Sequence, residues 1–288
     1  MRLLVTGGCG FVGSNFIRYI LQHYGPEMVT NVDALITGRL ANVDGVAGSY
    51  GDRYEFFQAD VADTPKIEAV LEKHQFFAVV HFAAEAAGVV GAKALLEQAR
   101  QHGVRRFLVV SREGGAGALE QVEAAALEAH RDREEEVVIT RATDTYGPYQ
   151  PLTGFIPGAI ARALRDQPVR IAGDGSRTHD WLHVEDHCAA LFAAMLDGEP
   201  GTIHRLASGH ELPEIDLAQR ILEQLGKSPG AIEFVPSAGG SRSVAAQTST
   251  GGGGLLQELA WKPRHALETG LRETVDWYVR NREWWEAP

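Results

Sequence analysis

Leu3-Leu4-Val5-Thr6-Gly7-Gly8-Cys9-Gly10-Phe11-Val12-Gly13 is a short apolar run that breaks into glycines and resumes as Ser14-Asn15-Phe16-Ile17. A strand turning directly into a helix over a dinucleotide needs this order. One glycine permits the tight turn, a second lets the backbone approach a pyrophosphate, and a third lets the helix pack close to the sheet. The spacing assigns these parts to Gly7, Gly10 and Gly13. The helix opening at Gly10, Phe11 and Val12 then offers unpaired N–H groups and a partial positive charge to phosphates. Asp33 closes the next apolar run, about twenty residues on, where a carboxylate accepts hydrogen bonds from the adenosine ribose. A carboxylate there repels a 2′-phosphate, so the expected dinucleotide is NAD. Asp60 and Val61, after the third strand, fit an adenine contact.

Outward from this turn, short apolar runs alternate with amphipathic stretches. Strands are expected at Leu3–Val5, Val29–Val32, Tyr54–Phe57, Ala78–Phe82, Arg106–Val110 and Val137–Thr140. Helices are expected at Gly10–His23, Lys66–His74, Ala92–His102 and Leu119–Arg131. That alternation predicts βαβ units, and hence an α/β fold: a Rossmann-type, doubly wound parallel sheet. Ala78-Val79-Val80-His81-Phe82 is apolar without alternation, as a central parallel strand covered on both faces requires. Beyond residue 150 the pattern loosens. Helices are expected at Phe155–Arg165, Glu185–Leu196, Leu212–Leu225 and Leu267–Arg280, with strands at Val169–Ile171 and Ile232–Val235. Residues 1–150 are therefore read as the dinucleotide domain and 151–288 as mainly a smaller α/β lobe. The Gly-, Ser- and Ala-rich stretch 238–254 reads as a surface loop or a flap over a ligand.

Composition narrows the function classes. The 288 residues are 44% hydrophobic and 23% charged, enough apolar material for a sizeable core. A net charge of −11, with only five lysines, argues against a nucleic-acid surface. Placed arginines and helix N-termini can still hold a phosphorylated ligand. Cys9 and Cys188 have no disulfide or zinc-ligand spacing, so no metal is expected. Met1-Arg2 leads straight into a strand and no stretch is long and apolar enough to span a bilayer, so the expected setting is cytoplasmic, without a membrane.

Five blocks carry a family resemblance: Val5–Asn15; His81-Phe82-Ala83-Ala84-Glu85; Tyr146-Gly147-Pro148-Tyr149-Gln150; Gly173-Asp174-Gly175-Ser176 with Asp180–His187; and Trp261-Lys262-Pro263 with Gly270–Tyr278 and Asn281–Trp285. Together they resemble the extended short-chain dehydrogenase/reductases, and within these the dTDP-glucose 4,6-dehydratases and neighbouring nucleotide-sugar epimerases. The resemblance implies an N-terminal lobe for NAD and a C-terminal lobe for a dTDP- or UDP-linked sugar. It implies cofactor contacts by Phe82, Ala83 and Ala84, and substrate contacts by Glu85, Thr145, Arg177, His179 and Arg242. It also implies a homodimer through two helices of the first lobe, here Ala92–His102 and Ala118–Ala129. In such enzymes a Tyr-x-x-x-Lys pair drives hydride transfer at the sugar's C4, and a neighbouring Asp-Glu pair removes water across C5 and C6.

None of the seven tyrosines is followed four residues later by lysine. The helix that should carry the pair reads Ala118-Leu119-Glu120-Gln121-Val122-Glu123, with Leu119 at the Tyr place and Glu123 at the Lys place. Leucine has no proton to transfer, and a carboxylate cannot stabilise a tyrosinate. After the fifth strand Ser111 remains, but the Asp-Glu pair becomes Glu113-Gly114. The segments after Glu85 and Gly117 look shortened, Thr145 stands at a usual Asn and His179 at a usual Arg. Two readings follow. One is an enzyme using substitute groups such as Ser111, Glu113 and Tyr146; His81 reads as a core histidine. The other is an inactive NAD- and nucleotide-binding partner or regulator of an active paralogue.

Overall fold

The structure is a computed structural model and describes residues 1–115, 117–236 and 261–286. Its elements run β1 (Arg2–Thr6), α1 (Phe11–His23), β2 (Met28–Asp33), α2 (Val46–Tyr50), β3 (Tyr54–Gln58), α3 (Thr64–Lys73), β4 (Ala78–His81), α4 (Ala84–Gln101), β5 (Arg106–Arg112), α5 (Ala118–Arg133) and β6 (Glu136–Ala142). The second half adds β7 (Asp144–Tyr146), α6 (Phe155–Leu164), β8 (Val169–Ala172), β9 (Thr178–His183), α7 (Val184–Asp197), β10 (Ile203–Leu206), β11 (Glu211–Pro213), α8 (Glu214–Gln224), β12 (Ile232–Val235), α9 (Leu267–Arg280) and α10 (Arg282–Glu286). The chain divides into two compact units. Met1–Ala142 and His187–Leu206 belong to the first; Thr143–Asp186 and the described parts of 207–253 and 262–288 make the second.

The first unit is a seven-stranded sheet in the order β10-β6-β5-β4-β1-β2-β3, with every pairing parallel. Chain order reverses between β1 and β4, which places the ligand crevice of such a sheet at their carboxyl ends. Every residue of β4 is buried, as its unbroken apolar run predicts. Leu4 and Val79 on the strands pack with Leu95 and Leu96 of α4, and with Val122 and Ala126 of α5, in one core. α3 starts where Asp63 accepts the Lys66 N–H and Pro65 occupies the first turn, both ordinary helix-start signals.

Several elements differ from expectation, among them α4 and the unanticipated α2, β7, β9, β10 and β11. The helix expected at Ala92 begins at Ala84 and breaks at Gly88, whose φ of 60° and ψ of −173° suit a residue without a Cβ. Ala84–Gly88 is too uniformly small to show a helical period. β10, which was not anticipated, extends the sheet beside β6. It is four residues long and alternately buried, an edge strand that its partner rather than its composition defines.

In the second unit, β11-β9-β7 form one small sheet and β12-β8 a parallel pair. Ile160, Ile171, Trp181, Leu217, Ile221, Leu271 and Tyr278 gather into its core. Asp180 organises the β7–β9 region. Its carboxylate accepts the Thr143 hydroxyl at 2.9 Å, the Ser208 N–H at 2.8 Å and hydroxyl at 2.9 Å, and the Gly209 N–H at 2.7 Å. Among the described residues, no helix is long and apolar enough to cross a membrane.

Hydrogen bonds to a charged group are worth about 1.5–3 kcal/mol each, and they fail together when the shared acceptor is removed. Asp180→Ala should therefore lower urea-measured stability by about 3 kcal/mol. A loss under about 1 kcal/mol would show that these loops hold their places without it.

Candidate functional site

The turn between β1 and α1 has no room for side chains. A Cβ on Gly7, whose φ is +76°, would lie 2.8 Å from the Ala83 nitrogen. On Gly13 it would lie 2.4 Å from the Gly7 carbonyl oxygen, and on Gly8 2.2 Å from Asn31 Oδ1. Gly10 caps α1 in extended backbone, with no side-chain cap and no acidic residue in the first turn. No side-chain cap or acidic residue therefore competes for the first-turn amides and the positive end of α1.

Asp33 ends β2 almost fully buried. Its carboxylate accepts the Cys9 N–H at 2.9 Å and the Leu35 N–H at 2.7 Å, binding the glycine turn to the end of β2. Asn42 donates to the Cys9 carbonyl at 2.8 Å, and the Arg39 N–H reaches the same oxygen at 3.0 Å. A Cβ on Gly38 would come within 2.9 Å of both Asp33 Oδ2 and Cys9. Gly8, Gly38 and Asn42 escaped the sequence reading. Gly8 lay inside the quoted turn, whereas a lone glycine in a loop gives no signal. Burial, then the charge of Asp33, pushes the Cys9 thiol up to about 12 against a hydrogen bond from Asn31, so it is no nucleophile at neutral pH.

Phe82 and Ala83 follow β4 against the glycine turn: the Phe82 N–H donates to the Thr6 carbonyl at 2.8 Å, and the Phe82 ring packs 5.5 Å from that of Phe16. Ala84 is buried at the start of α4. Val61 is buried after β3, while Asp60 is exposed and accepts the Ala62 N–H at 2.9 Å. His81 is fully buried, with Nδ1 2.6 Å from Thr6 Oγ1; burial lowers its pKa to about 4 and keeps it neutral. It is a core histidine bridging β1 and β4.

The positions that the resemblance assigns to the reaction centre hold the following residues. Leu119 is buried and fills the space beside Gly115, where a Cβ would meet it at 2.6 Å. Glu123 is 3% exposed and forms a bidentate ion pair with Arg141 of β6, Nε lying 3.0 and 3.1 Å from its two oxygens. Ser111 is buried and its Oγ has no hydrogen-bond partner. Glu113 pairs with Arg205 of β10, and exposed Glu85 with Arg112 at 3.1 Å. Arg141 and Arg205 were not singled out from sequence, because the register of β6 and β10 brings them to these carboxylates.

Other candidates lie in the second unit. Tyr146 is buried edge-on to His183, and burial, with Asp186 and the glutamates of α9, holds its phenol protonated. Thr145 donates to the Thr143 carbonyl at 3.3 Å, and Arg177 is exposed. His179 lies between Asp144 Oδ2 at 2.6 Å and Glu214 Oε1 at 2.9 Å, joining β7, β9 and α8. Arg242 and the 238–254 stretch fall outside the described residues.

Residues 4–123 match the family model described as GDP-mannose 4,6 dehydratase, and residues 121–207 that of the NAD dependent epimerase/dehydratase family. These matches and the seven-stranded sheet place the chain in the nucleotide-sugar epimerase/dehydratase class. A dTDP-glucose 4,6-dehydratase of Streptomyces niveus is 33% identical, over 99% of this chain and 95% of its own length. The alignment spans 326 positions against 288 residues here, so the relative has segments that this chain lacks. Two solved dTDP-glucose 4,6-dehydratases, from Streptomyces venezuelae with NAD bound and from Bacillus anthracis in complex with NAD, superpose with TM-scores of 0.89 and 0.88. Each is 29% identical, with 99% of both chains covered. Within the class, the chain belongs to the dTDP-glucose 4,6-dehydratase family.

The His179 clamp has a pH signature. Burial disfavours the imidazolium, but the hydrogen bonds that His179 donates to Asp144 and Glu214 outweigh it and push the pKa up to about 9. A folded pKa above the unfolded value stabilises fully below pH ~6.5 and loses its effect as pH rises through 9. After discounting for the exposed Asp144, the stability deficit of His179→Gln should shrink by about 2 kcal/mol between pH 6 and pH 9.5. A deficit independent of pH in urea unfolding would refute the clamp.

Proposed function

We propose that this chain binds NAD through its first unit and a dTDP- or UDP-linked sugar through its second, and that it does not run the tyrosinate-driven hydride cycle implied by the family resemblance. The cofactor half of this reading rests on a cradle that excludes any Cβ at Gly7, Gly8 and Gly13, with Asp33 fixed at its rim. NAD, when bound, supplies a hydride acceptor; the chain's own groups hold it. The first-turn amides of α1 take the pyrophosphate and Asp33 takes the ribose hydroxyls, with Asp60, Val61, Phe82, Ala83 and Ala84 around them. Relatives named as dTDP-glucose 4,6-dehydratases and UDP-glucose 4-epimerases support a nucleotide sugar as the ligand, and the family resemblance assigns Glu85, Thr145, Arg177, His179 and Arg242 as its contacts.

The single observation that carries the catalytic half is the Leu119/Glu123 substitution. Where the resemblance requires a phenol and an ammonium, the chain has a buried alkyl group and a carboxylate already committed to Arg141. Losing acid–base assistance costs about 10²–10⁴ in rate. The chain then acts as a binding partner or regulator of an active paralogue. One observation favours a second reading, slow dehydratase turnover by substitute groups such as Ser111, Glu113 and Tyr146: the Ser111 hydroxyl is buried without a hydrogen-bond partner.

Calorimetry should detect NAD binding that Gly13→Val abolishes and Ser111→Ala leaves within about threefold. With dTDP-glucose and NAD, mass spectrometry should show no loss of water over hours. Turnover that disappears in Ser111→Ala would establish the second reading, and no NAD binding by the intact chain would sink both.

The same reading includes a homodimer through α4 and α5. Their outer face carries a groove lined by Val89, Lys93, Gln121, Ala124, Ala125 and Glu128, and Val90 beside it is 75% exposed. Small alanines suit close helix packing. Ala124→Arg should convert a dimer to a monomer in light scattering; a monomeric parent chain would overturn this contact.

A further inference from the structure

His183, Glu185 and His265 place three potential ligand atoms within 4.8 Å of one another in the second unit. They come from the end of β9, the first turn of α7 and the segment before α9, so about eighty residues separate the first from the last. No linear motif exposes the set, which is why the sequence predicts no metal.

Three observations about this cluster converge. His183 is 4% exposed, and neither of its ring nitrogens has a hydrogen-bond partner. Burial of a bare imidazole with both nitrogens unanswered is costly unless something else uses a lone pair. Its ring lies 4.2 Å from that of His265. Second, His265 Nε2 faces two carboxylates, Glu185 at 3.4 Å and Glu273 at 3.6 Å. These are long for charged hydrogen bonds, but about 3.4 Å is the edge of a tetrahedron built from bonds of ~2.1 Å to nitrogen and oxygen. Third, the other nitrogen of His265, Nδ1, lies 3.1 Å from Asp186. Asp186 is itself buried and fixed by the N–H groups of Arg264 at 2.9 Å and His265 at 3.0 Å. The contact has the distance of an ion pair without the alignment of a hydrogen bond, and a carboxylate near the far nitrogen is a common outer neighbour of a metal-bound histidine.

We propose that His183, His265 and Glu185, with Glu273 as a fourth donor, bind one first-row divalent transition-metal ion of the zinc type. Two imidazoles and carboxylates suit zinc and its neighbours rather than calcium or magnesium, which take all-oxygen sets. Three carboxylates surround His265, so a divalent cation would balance their charge once the imidazolium gives up its proton. Neither ring nitrogen of His183 is engaged in a hydrogen bond, which leaves a lone pair available. The cluster borders a cavity of about 360 Å³ lined by Pro148, Asp276, Trp277, Arg280 and Asn281, so the ion keeps a solvent-facing side. The ion ties β9, α7 and α9 together within this unit.

The test uses the full chain, stripped with EDTA and titrated with Zn²⁺ alone by calorimetry, then with Co²⁺ followed by visible absorption. One equivalent should bind, with cobalt bands of a nitrogen–oxygen site. Glu185→Gln alters an exposed side chain and should weaken binding at least tenfold, as should His265→Gln. Glu72→Gln, in the exposed Glu68–Glu72–His102 group, should leave affinity and stoichiometry unchanged. Melting curves will separate lost ligands from lost folding in His183→Gln, and zinc should raise the melting temperature of the parent chain but not of Glu185→Gln. Absence of cobalt bands overturns the proposal. So does binding that survives both Glu185→Gln and His265→Gln, or that disappears in Glu72→Gln.

Discussion

The crowding of backbone against backbone between β1 and α1 constrains everything around it. Three glycines of this turn stand where a single added carbon would meet the backbone or a buried side chain within 2.8 Å. That closeness brings the first turn of α1 over the carboxyl ends of β1 and β4, at the point where the sheet reverses its strand order. Asp33 extends the constraint to β2 by accepting two main-chain N–H groups, one of them from Cys9 within the turn. Asn42 and Gly38 carry it further into the loop after β2, through the Cys9 carbonyl and the close approach to Asp33. A wider turn would lose both the anion site and its acidic rim.

Beyond β4, charge organises the same edge of the sheet differently. Arg141 answers Glu123, Arg205 answers Glu113, and Arg112 answers Glu85. The first pair differs in kind from the other two. Glu123 is buried, so removing Arg141 would strand a charge in a poor solvent, whereas the exposed Glu85–Arg112 pair contributes little. Glu123 has therefore become part of the packing of α5 on β6. A lysine there would face Arg141, so a Tyr-x-x-x-Lys arrangement on this helix would need at least three coordinated changes.

The alternation of apolar runs and amphipathic stretches made the first six strands and their helices legible, since a parallel sheet covered on both faces writes its strands as continuous apolar runs. β9 and β10 escaped notice because Thr178–His183 is polar and Ile203–Leu206 is short; each is a strand through its partner's hydrogen bonds. The tight glycine turn was equally legible, because it is local and its glycines lie close together in the chain. Arg141, Arg205 and the His183–Glu185–His265 cluster were not, because each depends on strand register or on segments far apart in the chain.

By itself, then, the sequence determined the α/β class, the glycine turn with its acidic rim, and the absence of the Tyr-x-x-x-Lys pair, all of which are properties of residues close in the chain. Only the tertiary structure decided that Leu119 is buried and which partner Glu123 takes. Burial and pairing depend on which strands lie side by side. It took the register of β6 against β5 to put Arg141 beside Glu123, and the fold of the second unit to leave His183 buried with both nitrogens unanswered.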